Sequence, residues 1–158
     1  MKAFLQSPVG AIEIEESNGF ISAVRFISEM PQKVDSCTSA VLNEAIDQLE
    51  EYFSGKRHSF DLPLKQTGTS FQEKVWSYLT TIPYGKTVSY KDEAIAIGSP
   101  QACRAVGSAN GKNNIAIIVP CHRVVNEGNN KLGGYAYGLD IKRFLLDLEM
   151  SSEVKSAN

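Results

Sequence analysis

The chain has little cysteine, with three in 158 residues, only two histidines and one tryptophan, and no long apolar run. A membrane helix needs about 18 or more consecutive apolar residues, so no membrane partner is expected. Met1-Lys2-Ala3-Phe4 leads into a strand-like alternation and not into a charged and then apolar leader, which predicts a cytoplasmic protein. Cys37, Cys103 and Cys121 are odd in number and nowhere spaced as CxxC, so neither a disulfide framework nor a zinc site is indicated. With His58 and His122 as the only imidazoles, we expect no metal and no cofactor. An excess of positive charge is also lacking. The net charge is -2 and the pI about 5.7, which argues at first against nucleic acid. The distribution softens that argument. Met1 to Lys65 holds six Lys or Arg against ten Asp or Glu, whereas Gln66 to Glu149 holds nine against seven. The second stretch is the better suited to face DNA.

A composition shift near Lys65 divides the chain into residues 1–65 and 66–150, with 151–158 as a disordered tail. In the first part Ala3 to Gln6, Ala11 to Glu16 and Phe20 to Phe26 alternate apolar and polar residues around turns at Ser7-Pro8-Val9-Gly10 and Asn18-Gly19. That predicts a three-strand meander. Val41, Leu42, Ala45, Ile46, Leu49, Tyr52 and Phe53 then recur at helical spacing, and Gly55 precedes a strand-like Ser59 to Leu62. The class is therefore α+β. The second part reads as mainly helical. Ser70 with Glu73 suggests a capping box, Ser89 a cap for a helix over Tyr90 to Ile97, and Gly98-Ser99-Pro100 a turn, cap and first-position proline for another. Two short helices so joined predict a helix-turn-helix. Ile141, Phe144, Leu145 and Leu148 mark a final amphipathic helix.

Pro120-Cys121-His122-Arg123-Val124 follows the apolar run Ile115 to Val119, read as a buried strand. A cysteine nucleophile needs a base and a rigid mount, and this segment offers both. Alone, such a pair is more often a core cysteine at a strand end. Neighbours on a strand point to opposite faces, so a turn at Pro120 or a bridging water must bring the imidazole to the thiol.

Further motifs accompany it: Phe71-Gln72-Glu73-Lys74-Val75-Trp76, Ile82-Pro83-Tyr84-Gly85, Ser89-Tyr90, Ala102 to Asn110 with Arg104 inside, and Gly133-Gly134-Tyr135-Ala136-Tyr137-Gly138-Leu139. In this order, from Thr69 to Glu149, they resemble the O6-alkylguanine-DNA alkyltransferase family. The resemblance implies a ribonuclease-H-like N-terminal domain and a winged-helix-like C-terminal domain with the helix-turn-helix. It implies irreversible, single-turnover transfer of an alkyl group, methyl above all, from O6 of guanine and from O4 of thymine in flipped-out bases to Cys121. His122 then deprotonates Cys121 through water and is oriented by Glu149. Tyr90 donates a proton toward guanine N3, Asn113 braces the active-site turn, and Arg104 takes the place of the flipped base. Backbone groups of Cys121, Val124, Tyr135 and Ala136 hold the base edge, and Gln72, Lys91 and Ser99 are further DNA contacts. The implied partner is double-stranded DNA carrying O6-alkylguanine, bound through its minor groove by a monomer. Asn114 stands where the family usually has proline, and Ala136 where some members have serine. Some members hold a structural zinc in the N-terminal domain, for which this chain lacks the cysteines.

Three readings compete: a Cys-His hydrolase, disfavoured by the helix-turn-helix with Arg104 in its second helix; a non-catalytic lesion binder, against which Cys121 argues directly; and a regulator reading the major groove with the Gln101 to Asn110 helix. That helix is poor in groups that hydrogen-bond base edges, while its small residues permit close approach to a minor groove.

Overall fold

The computed structural model describes residues 1–33, 39–127 and 132–157, with side chains as far as residue 151. Cys37 and Gly128 to Lys131 fall outside the described residues. The chain divides into two compact units, Met1–Gln66 with Asn114–Ile118, and Thr67–Asn113 with Val119–Asn158.

The first unit is a meander of β1 (Lys2–Ser7), β2 (Gly10–Ser17) and β3 (Phe20–Ile27), antiparallel in that order. Asn18 and Gly19 both take positive φ, 53° and 85°, as a two-residue turn between right-twisted strands requires. Ala3 pairs with Ile14 and Leu5 with Ile12, which puts apolar residues on one face. Helix α1 (Ala40–Phe53) covers that face with Leu42, Ala45, Leu49 and Tyr52, and Ser39 caps it by accepting from Leu42 N.

Ser59 to Leu62 is not a strand. The buried Gln48 amide takes the place of a partner strand: its Oε1 accepts from Asp61 N at 2.9 Å and its Nε2 donates to Asp61 O at 3.0 Å. Ile115 to Val119 is also not a strand. Ile115 alone bridges to Val24, with Val24 N donating to Asn114 O and Ala116 N to Val24 O. The chain then reverses at Ile117, whose φ is +70°, and Ile118 N donates to Ala116 O at 2.7 Å. A β-branched residue at positive φ is strained, and such strain gathers at functional sites. Asn114 N–H donates to Gln66 Oε1 at 3.0 Å, a tether that proline could not make.

In the second unit α2 (Ser70–Leu79) is capped one residue earlier than Ser70 and Glu73 suggested. Thr69 and Gln72 form the capping box, because the same spacing recurs there with a side chain that reaches back to the cap N–H. Buried Trp76 joins α2 to α4 by donating Nε1–H to Ala109 O at 2.9 Å. Helix α3 (Tyr90–Ala96) is capped by Ser89 with Asp92, and α4 (Cys103–Gly111) follows after a tight turn. Ser99 does not cap α4; Ala102 occupies that position without a side-chain bond. Ser99 instead starts the turn, accepting from Ala102 N at 2.9 Å, since Pro100 suits the second turn position as well as a first helical one.

Short parallel strands β4 (Val88–Ser89) and β5 (Val124–Val125) pair behind the helices. Helix α5 (Leu139–Ala157) closes the unit and runs through the expected disordered tail. No glycine or proline follows Gly138 to stop it. No helix among the described residues is long and apolar enough to cross a membrane.

Candidate active site

Cys121 opens a single 3-10 turn, Cys121–Arg123, directly after Pro120. The turn, not a strand, therefore sets the directions of Cys121 and His122. Asn113 stabilises the approach to it: its buried Nδ2 donates to Val119 O at 2.8 Å and lies 3.5 Å from Cys121 Sγ.

His122 is fully buried, with Nε2 at 2.6 Å from Glu149 Oε2. Glu149, also buried, is held by Arg123 through Nε at 2.8 Å and Nη2 at 3.1 Å, and by Gly85 N–H at 3.3 Å. Burial alone would raise the Glu149 carboxyl, but the bonds and charges of His122 and Arg123 outweigh it and bring the pKa down to about 2. The carboxylate only accepts, so His122 carries its proton on Nε2. Burial holds the imidazole below its ordinary pKa, with Arg123 and Lys142 adding to that and Glu149 opposing it. A neutral ring with Nε2–H leaves a lone pair on Nδ1, which has no partner among the described residues. That nitrogen is a base.

The thiol needs one. Burial pushes the Cys121 thiol up, and the Asn113 bond and the Lys142 charge partly offset it. Lys142 is completely buried on α5, donating to Val124 O at 2.6 Å and Gly134 O at 3.0 Å. Burial lowers its own pKa to about 8, against the pull of Cys121.

Cys121 lies in the wall of a cavity of about 230 Å³ with Tyr90, Gly107, Asn110, Gly134, Tyr135 and Ala136. Tyr90 reaches Gly134 O with its hydroxyl at 3.4 Å, and Gly133 lies so close that a Cβ there would come within 2.8 Å of the Tyr90 ring. A second, wider cavity of about 760 Å³ adjoins it in the wall residues Tyr90, Gly107 and Gly134 and adds Arg104 and Cys103. A thiol and a phenol thus share one concave site able to take a flat ligand, and the neutral imidazole next in sequence to the thiol is buried outside the cavity wall.

Residues 70–151 match the 6-O-methylguanine DNA methyltransferase DNA binding domain and residues 1–66 the ribonuclease-like domain of the same methyltransferase. The chain belongs to the 6-O-methylguanine DNA methyltransferase family. It is 47% identical over 150 residues to the methylated-DNA--protein-cysteine methyltransferase of Methanosarcina barkeri, covering 92% of this chain and 94% of that one. Identity is 46% over 156 residues to the constitutive methylated-DNA--protein-cysteine methyltransferase of Bacillus subtilis, covering 93% of each. The crystal structure of Mycobacterium tuberculosis OGT in complex with DNA superposes with a TM-score of 0.85 at 43% identity, over 94% of this chain and 92% of that chain.

Within this family member the expected site residues fall into four places. Cys121, Tyr90, Tyr135 and Ala136 meet at the smaller cavity, with Asn113, His122 and Glu149 behind the thiol. Arg104 and Lys91 are exposed on α4 and α3, and Ser99 lies half-buried in the turn between them. Gln72 lies on α2 with its amide oxygen engaged in the Thr69 cap. Val124 is buried outside the cavity wall, its N–H bonded to Cys121 O and its carbonyl to Lys142. Tyr137 meets Tyr135 edge-on at 5.7 Å. Sequence reasoning passed over Arg123 and Lys142. Arg123 stood inside the quoted motif. Lys142 shares the buried stripe of α5 with Leu145 and Glu149, and two charges in that stripe mask its period.

Proposed function

We propose that this chain repairs DNA by taking an alkyl group from O6 of guanine, or O4 of thymine, onto Cys121. The observation that carries the reading is the Cys121 thiol in a cavity wall, next in sequence to a neutral imidazole whose proton is fixed toward Glu149. The names of the M. barkeri and B. subtilis relatives state the same transfer, from methylated DNA to a protein cysteine.

In this mechanism the damaged base leaves the duplex, at a cost of a few kcal/mol that is least for a weakened pair. Arg104 fills the place it leaves, and α4 approaches the minor groove with the small residues Ala105 and Ser108 exposed beside Arg104. His122 Nδ1 takes the Cys121 proton through a bridging water. The thiolate attacks the alkyl carbon; the S–C bond forms, the C–O bond breaks, and the electron pair passes into the base. Tyr90 supplies a proton to guanine N3, and the imidazolium proton returns to the tyrosinate. The base leaves neutral and the thioether remains. Because a thioether has no leaving group, each molecule acts once. We read the protein as a cytoplasmic monomer without metal or cofactor, a compartment in which Cys103 and Cys121 stay reduced.

Intact-mass measurement after incubation with O6-methylguanine duplex tests this. The expected result is a gain of one methylene per active molecule, mapped to Cys121 and absent from Cys103 and Cys37, with Cys121→Ala binding DNA but removing nothing. Multiple turnovers with Cys121 unmodified would overturn the reading and favour hydrolysis.

A further inference from the structure

Glu93 lies on α3, inside the helix-turn-helix, and is fully buried. Its partner is Asn110 of α4, whose Nδ2 donates to Glu93 Oε1 at 2.8 Å. The other halves of both groups, Glu93 Oε2 and Asn110 Oδ1, are buried without a partner among the described residues. Two orphaned acceptors on one pair of side chains have a simple resolution. A proton on Oε2 turns it into a donor, and the amide carbonyl of the same asparagine is its acceptor, giving the two-point pairing of a carboxylic acid with an amide. Asn110 is also a wall residue of the cavity that holds Cys121 and Tyr90.

We propose that Glu93 is carried as the neutral acid and, through Asn110, positions the cavity wall beside the Cys121 thiol. The proposal rests on Cys121 being the acceptor. Glu93 is a positioning residue, because it acts on the site through Asn110. Burial raises its carboxyl pKa to about 7, only partly opposed by the Asn110 bond. Its surroundings supply acids. Its charge, when present, raises the pKa values of Tyr78 on α2, Tyr90 at the start of its own helix, and Cys121. Glu73 and Lys74 of α2, Lys91 and Asp92 of α3, and Arg104 of α4 are exposed, and Cys103 opens α4 half-buried. The strands β4 and β5 carry no titratable side chain, His122 and Arg123 are engaged with Glu149, and Lys142 donates to backbone carbonyls. Ionisation of Glu93 therefore breaks the second bond to Asn110 and sets a negative charge against the forming thiolate. The neutral acid avoids both.

The sign follows. Glu93 is neutral below about 7 and ionised above it, so its effect opposes the gain in thiolate that rising pH brings. Glu93→Gln keeps two-point pairing with Asn110 and cannot ionise. Single-turnover alkylation of Cys121 by O6-methylguanine duplex should differ by less than about twofold between the two proteins at pH 6. The variant should then gain on the parent as pH rises, reaching about tenfold by pH 9. A ratio that stays flat with pH would overturn the proposal, since a merely structural role produces a constant difference. A carbon-13 carboxyl titration of the unsubstituted protein gives an answer independent of the variant's folding. Glu93 should titrate near pH 7, and a carboxyl already ionised at pH 5 would overturn it. Loss of Cys121 alkylation in both proteins would instead count against the acceptor assignment, and the carboxyl titration would still decide Glu93.

Discussion

Lys142 places its ammonium 2.6 Å from the carbonyl oxygen of Val124, with no exposure to solvent. The same ammonium reaches Gly134 O, so one side chain of α5 ties the strand after the Cys121 turn to the glycine loop. Its charge also lowers the Cys121 pKa. Its role is thus both mechanical and electrostatic.

Lys142→Met keeps the aliphatic stem and removes the ammonium. The buried Val124 carbonyl loses its donor, at a cost of about 1–3 kcal/mol, while Gly134 O keeps the Tyr90 hydroxyl at 3.4 Å. The thiol loses a stabilising cation, so its titration should move up and alkyl transfer at pH 7 should slow. Thiolate absorbance against pH, read beside the single-turnover rate, checks this. An unmoved thiol titration would confine Lys142 to bracing the loop.

Gly133→Ala tests the close approach of the loop to Tyr90. Gly133 has φ +73°, and an added Cβ would meet the Tyr90 ring and hydroxyl at 2.8 Å. The loop or the ring must shift, costing about 1–3 kcal/mol, and a displaced phenol should slow transfer about tenfold or more. Gly134→Ala is the control, because a Cβ there meets nothing within 4 Å and φ is not positive. Equal behaviour of the two variants would show that the Tyr90 contact is unimportant.

What the sequence made legible follows from how local each signal is. The meander and α1 rest on period and turn residues, which act within a few positions, and both appear where the alternation and the helical spacing lie. A short apolar run such as Ile115 to Val119 signals burial without distinguishing strand from turn. Burial was right, and the positive φ at Ile117 was invisible. The α2 cap slipped by one residue because Thr69 with Gln72 and Ser70 with Glu73 satisfy the same pattern. At the site, Pro120-Cys121-His122 stood out by its residue types, whereas Lys142 and Glu93 looked like ordinary helix charges. Their burial depends on segments far away in the chain, and charge on a buried helix stripe hides the stripe.

Glu149→Gln probes the buried carboxylate that orients His122. The folded pKa of about 2 lies below the ordinary 4.5, so Glu149 contributes stability that is fully present above about 4.5 and is lost as pH falls toward 2. The variant should be less stable at pH 7 by about 3–5 kcal/mol, since Arg123 is left as a buried cation without its counter-charge. It should also lose less stability than the parent between pH 4.5 and 2. Denaturant unfolding at several pH values measures both effects, and parallel stability curves would sink the assignment.

Arg104→Ala separates the DNA step from the chemistry. Arg104 is exposed on α4, next to Cys103 at the wider cavity, whereas the thiol and its base lie in and behind the smaller one. An arginine that occupies the space of an extruded base acts only when a base must leave a duplex. The variant should therefore repair O6-methylguanine in duplex DNA about 100-fold more slowly, as expected when about 3 kcal/mol of help with extrusion is lost. Its reaction with the free modified base should stay within about twofold of the parent, because that substrate needs no extrusion. Parallel single-turnover assays on the two substrates, with unfolding curves to verify the fold, give the comparison. Equal loss on both would remove Arg104 from the extrusion step and assign it to shaping the cavity.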